Sequence, residues 1–66
     1  MAKKTLRQLR REKDMTQEEL ARLANITPRT ISNYETKTSA LKNAKYETIS
    51  RIAKILEVSV GDIFLN

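Results

Sequence analysis

Apolar positions in this chain come in short bursts at helical spacing, most of them opened by a hydroxyl side chain. Thr5 stands three residues ahead of Gln8, and Leu6 with Leu9 forms one apolar stripe. That is a capping box followed by a helix, predicted from about Leu6 to Lys13. Thr16 and Glu19 repeat the box; Leu20, Leu23 and Ala24 then share a face, which predicts a second helix from about Gln17 to Ala24. Asn25 follows, a residue that tolerates the left-handed region where many helices end. Thr27 before Pro28 reads as an N-cap with proline at the first helical position, where its missing N–H costs nothing. The third helix is expected from about Pro28 to Glu35.

A polar, basic stretch from Thr36 to Asn43 reads as a loop. Tyr46, Ile49, Ile52, Ala53 and Leu56 restore the helical period and predict a helix from about Ala44 to Leu56. Ser59 with Asp62 resembles a further cap, ahead of a short closing helix built on Val60, Ile63 and Phe64. No stretch alternates as a strand hairpin does. The expectation is an all-α fold: five short helices around one core, in a single domain over residues 1–66.

Composition narrows the chemistry. The chain has no cysteine and no histidine, so disulfides, thiolate or histidine zinc sites and a histidine general base are all excluded. The lone Gly61 rules out a glycine-rich phosphate loop. Asp14, Glu18 and Glu19 lie at helix starts, where they suit the dipole, and form no obvious acid–base pair. No catalytic residue, metal, cofactor or small-molecule ligand is expected. No apolar run approaches the ~20 residues that cross a bilayer, and a cytoplasmic location is expected.

Net charge is +5, unevenly spread. Residues 1–13 hold Lys3, Lys4, Arg7, Arg10, Arg11 and Lys13 against Glu12; Lys37, Lys42, Lys45 and Arg51 face only Glu47. Such a surface favours polyanions, nucleic acid first and anionic membrane second. The apolar face of the first helix is small and needed for the core, which argues against a membrane-surface peptide.

At about 100° per residue, a third helix with Ile31 inward brings Tyr34 near the core and Thr27 leaning in. Arg29 and Asn33 then point nearly opposite, Thr30 and Ser32 flank them, Thr36 extends the outer face and Pro28 sits at the tip. Arginine can clamp guanine O6 and N7, and asparagine can pair with adenine N6 and N7. Small Ala21 allows the second and third helices to cross steeply about Asn25, as in a helix-turn-helix.

Taken together, Leu9–Arg10, Thr16–Ala21 (T-Q-E-E-L-A), Asn25–Thr27, Ile31–Glu35 (I-S-N-Y-E) and Ile52–Phe64 (I-A-K-I-L-E-V-S-V-G-D-I-F) resemble the Cro and phage-repressor type of helix-turn-helix regulator, the xenobiotic-response-element family. The likeness runs from about Leu6 almost to the end. The chain departs from the pattern at three places. Asn25 replaces the usual turn glycine, Ala44 replaces a proline, and the stretch after Glu35 is a few residues longer than typical.

The resemblance implies a compact repressor-like domain that binds double-stranded DNA through its third helix, most simply as a repressor on a pseudo-palindromic operator. It implies Arg29 and Asn33 as base readers, with Pro28, Thr30 and Ser32 secondary. Gln17 is expected on a phosphate, at a helix N-terminus that attracts anions. Thr27 caps and borders the phosphates, and Lys37, Lys42 and Asn43 hold the strand beside the groove. Arg10 and Glu35 are implied as a structural ion pair. Lys3 and Lys4 read as a frayed, solvated terminus in preference to a flexible arm reaching DNA. A homodimer is expected through the apolar C-terminal residues Val58, Val60, Ile63, Phe64 and Leu65. The rival reading is a protein-interaction module on the same fold, antitoxin-like or adaptor-like.

Overall fold

In the computed structural model, residues 4–64 are described, with Thr38 and Phe64 described by backbone alone. The expected Lys3 and Leu65 lie outside the described residues, as does the Phe64 side chain. Six helices follow one another: α1 (Leu6–Glu12), α2 (Gln17–Ala24), α3 (Pro28–Thr36), α4 (Thr38–Lys42), α5 (Tyr46–Leu56) and α6 (Val60–Phe64). There is no strand among the described residues.

Local chemistry sets most boundaries. The Thr5 and Gln8 capping box closes in both directions, with the Thr5 N–H donating to Gln8 Oε1 at 2.7 Å. The Thr16 and Glu19 box does the same at 3.0 Å each way. Thr27 Oγ1 accepts the Thr30 N–H at 3.2 Å, and Ser59 exchanges bonds with Asp62.

Three helices end in one way. After α1, α2 and α5 the chain turns through Asp14, Asn25 and Glu57, each at a φ between 54° and 60°. In each case a later N–H folds back onto the last turn: Met15 to the Arg10 carbonyl, Ile26 to that of Ala21, Val58 to that of Ala53. This satisfies carbonyls that a helix end leaves open. Glycine is the usual residue there, and a chain whose only glycine is Gly61 uses Asp, Asn and Glu instead.

The core is Leu6, Leu9, Leu20, Ala21, Ala24, Ile31, Leu41, Ile49, Ile52, Ala53, Leu56 and Ile63. α2 packs on α3 and α5, α3 on α1 and α4, and α5 on α6. Ala21 is 1% exposed at the α2–α3 crossing, where its small side chain lets the two helices meet closely.

Four expectations are corrected. The stretch taken for a loop contains α4, because Leu41 is buried and pulls one turn of backbone onto the core. The described residues therefore form six helices, and α4 occupies the extra length after Glu35. Leu23 is 49% exposed, since α2 packs through Leu20 and the alanines 21 and 24, and Leu23 lies round the helix from them. Tyr46 is 70% exposed, because it opens α5 beyond the edge of the core. Thr27 caps α3 from the surface and does not lean inward.

Ion pairs tie the outside. Lys4 pairs with Glu12 at 2.6 Å, and Arg51 with Glu47 at 2.5 Å while also donating to the Ala24 carbonyl. Lys13 pairs with Glu57, joining the ends of α1 and α5. The hydrogen bond from Lys13, and then its charge, hold the Glu57 carboxyl below the usual carboxylate range.

Candidate nucleic-acid interface

α3 is held from beneath. Ile31 is fully buried, and Tyr34 packs against the core from a partly exposed position. That partial burial pushes the Tyr34 phenol above its ordinary pKa, since a phenolate there loses hydration.

The far end of α3 is tied down by charge. Arg10 Nε donates to Glu35 Oε2 at 2.6 Å, and its Nη2 donates to Oε1 at 3.3 Å. The remaining arm, Nη1, donates to the Met15 carbonyl at 2.6 Å, on the turn into α2. Gln17 Nε2 donates to the same Glu35 Oε1 at 3.0 Å. The Glu35 side chain is 3% exposed and that of Arg10 is 10%. One buried carboxylate therefore joins α1, the entry to α2 and the end of α3. Among the described residues no buried side-chain N or O lacks a partner.

The sequence implied the Arg10 and Glu35 pairing through resemblance; the third partner, Gln17, was missed. Spacing gives no sign of it, because residues 17 and 35 are far apart in the chain. The carboxylate fixes the Gln17 side chain at the first residue of α2. There the Gln17 and Glu18 N–H groups have no intrahelical acceptor.

The outer ridge of α3 differs from its base. Arg29 is exposed and Asn33 partly exposed, one turn apart and each roughly 160° from Ile31 on the helix. Neither side chain has a hydrogen-bond or ion-pair partner among the described residues. Pro28 is exposed at the tip, and Ser32 is partly exposed beside Asn33, its side chain also unpartnered.

Thr30 and Thr36 are committed elsewhere. Thr30 Oγ1 lies 2.9 Å from Thr27 Oγ1 within the cap, and Thr36 Oγ1 donates to the Ser32 carbonyl at 2.9 Å. Lys37 stands between α3 and α4, and Lys42 and Asn43 at the far end of α4. All three are exposed. The structure thus leaves Pro28, Arg29, Ser32 and Asn33 on the outer side of α3, opposite buried Ile31, sets Gln17 at the start of the neighbouring helix, and spreads 37, 42 and 43 along the α4 shoulder.

This surface offers hydrogen bonds and positive charge. Among the described residues no cluster of His, Cys, Asp or Glu has metal-site geometry. No helix of the described residues is long and apolar enough to cross a membrane. In comparisons with known proteins, a family model described as helix-turn-helix matches residues 6–63. No match to a curated protein or to a solved structure reaches significance.

Proposed function

The chain belongs to the helix-turn-helix family, of the Cro and phage-repressor type, and from that premise we propose a sequence-specific repressor that occludes a promoter. The family makes it a DNA-binding transcription regulator and not an enzyme. On our reading α3 enters the major groove of double-stranded DNA, and residues 1–66 act as one DNA-binding domain.

One observation carries this reading. The two long polar side chains of the α3 ridge, Arg29 and Asn33, have no partner within the described protein, while their helix is buried on one side and tied at its end. Polar side chains carried on an anchored helix and free of protein partners suit base edges, which can replace their hydration. Arg29 and Asn33 read bases, and Ser32 and Pro28 add contacts beside them. Thr30, whose hydroxyl serves the cap, is the weaker reader. Gln17 brings the α2 N-terminus to a phosphate, Thr27 lies beside it, and Lys37, Lys42 and Asn43 meet the neighbouring strand.

The molecule acts as a symmetric pair. Its longest dimension, 30 Å, is shorter than the ~34 Å between half-sites, so one copy covers one half-site. Val58 and Val60 are partly exposed at the C-terminal end and available to a second copy, whereas Ile63 is fully buried in the core.

Selection of bound duplexes from a random DNA library tests the reading. A palindromic motif with two half-sites is expected. Arg29→Ala should relax one position of it and cost roughly 1–3 kcal/mol on the selected site. Recovery of unselected sequence, or an unchanged motif from Arg29→Ala and Asn33→Ala alike, would overturn it.

A further inference from the structure

The basic residues around α1 are put to different uses. Lys4 pairs with Glu12, Arg10 is buried against Glu35, and Lys13 pairs with Glu57. Arg7 and Arg11 are different: both are exposed, and neither side chain has a hydrogen-bond or ion-pair partner among the described residues. They lie one turn apart on one side of the helix, a spacing at which like charges repel. The nearest carboxylate in sequence, Glu12, is engaged by Lys4.

The roll of α1 fixes where this pair faces. Leu6 and Leu9 are buried on one side of Arg10. Arg7 and Arg11 lie about 60° and 100° round from Arg10 in the opposite sense. Arg10 marks the edge at which α1 meets Glu35, the Met15 carbonyl and, through the shared carboxylate, Gln17. The arginine pair continues, on the solvent side, the edge whose Arg10 reaches the turn into α2.

We propose that Arg7 and Arg11 form a phosphate track on α1, engaging the DNA backbone outside the base pairs that α3 reads. This rests on the reading of α3 as the groove-entering helix and extends its footprint. Guanidinium groups suit the task because their planar forks match phosphate oxygens. The track carries no sequence information and adds affinity to every duplex alike.

The test compares Arg7→Gln/Arg11→Gln with a control of equal charge change, Arg22→Gln/Lys54→Gln. Affinity is measured against salt on the selected duplex and on a random one, after circular dichroism shows each variant folded. Each phosphate contact contributes about 0.9 to the log–log salt slope, so the α1 variant should be shallower by about 1.8 on both duplexes. Its base preference should be unchanged, the control should keep the wild-type slope, and Arg7→Lys/Arg11→Lys should restore most of the loss.

Equal slopes for the α1 variant and the control would overturn the track, as would a loss confined to the selected duplex. Loss of binding to anionic vesicles with the DNA slope untouched would assign the pair to a lipid surface and overturn it too. If Arg29→Ala still relaxes the motif while the α1 variant matches the control, the track fails and the reading of α3 stands.

Discussion

The α2–α3 corner and the crossing from α3 to α5 by way of α4, residues 37–45, both run over the same core, and they are built on opposite principles. At the corner, Thr16 and Thr27 cap the two helix starts, Asn25 takes the left-handed turn, and Glu35 is gripped by Arg10 and Gln17. At the crossing, the N-cap residues of α4 and α5 are Lys37 and Lys45, neither of which makes a side-chain cap bond. Leu41 is the buried anchor between them. Side-chain polar bonds define the first connection; the second has backbone hydrogen bonds and the apolar contacts of Leu41 and Ala44 with the core. The proposed base readers stand on the first, and Lys37, Lys42 and Asn43 on the second. On the proposed reading, directional side-chain bonds stand where hydrogen-bond geometry with bases matters, and the segment without side-chain caps carries charges that need only proximity to phosphate.

The largest expected effect comes from breaking the corner. Glu35→Ala leaves the buried Arg10 guanidinium without its carboxylate and should cost about 3–5 kcal/mol. A domain this small has a total stability on the order of 5 kcal/mol, so urea titration should find the variant largely or wholly unfolded. The double variant Arg10→Met/Glu35→Leu should recover most of the loss; a double variant as unstable as the single would show that the pair itself, not the stranded charge, holds the corner.

The crossing should fail more gently. Leu41→Ala should cost about 2 kcal/mol, at the low end for a buried leucine, because Leu41 is carried by a single short turn that can shift. Hydrogen exchange should show protection lost first at residues 38–42, with α2 and α3 retained. Uniform loss across all helices would erase the contrast between the two regions.

Caps give a smaller and signed test. Thr27→Ala should destabilise by about 1 kcal/mol, and Lys45→Ser should stabilise by up to about 1 kcal/mol, because it supplies a cap that α5 lacks. Thermal melts of the two variants should move in opposite directions. Two shifts of the same sign would contradict the account of these termini.

The smallest effect is in pH. Tyr34 has a folded pKa above its unfolded value of about 10, so its contribution is full below that pH and is lost as pH rises through the folded value. The urea midpoint should therefore fall above about pH 10, and Tyr34→Phe should flatten the fall. An identical alkaline limb in Tyr34→Phe would assign it to other groups.

The same contrast explains what the sequence makes legible. Capping boxes, a Thr-Pro helix start and an Asn turn are local signals, and the ends of α2 and the start of α3 follow from them directly. The position of Arg29 and Asn33 follows from helical period once Ile31 is taken as buried. α4 is illegible for a physical reason: five residues hold too little of a period to recognise, and its start has no cap bond to announce it. Leu23 and Tyr46 mislead because an apolar residue near a stripe is not yet in it. Alanines 21 and 24 move the packing centre of α2 away from Leu23, and Tyr46 precedes the point where α5 reaches the core. The Gln17 bond to Glu35 joins two local patterns through space, and no one-dimensional pattern contains it.

Residues 29, 32 and 33 have side chains that bond to nothing else in the described fold, whereas Thr30 shares the cap of Thr27. On the proposed reading of α3, randomising the first three should yield proteins that remain folded while answering to different operators, and including position 30 should cost a share of the library to instability. On that reading, a lineage built on this chassis could change its targets in single steps without passing through a collapsed intermediate.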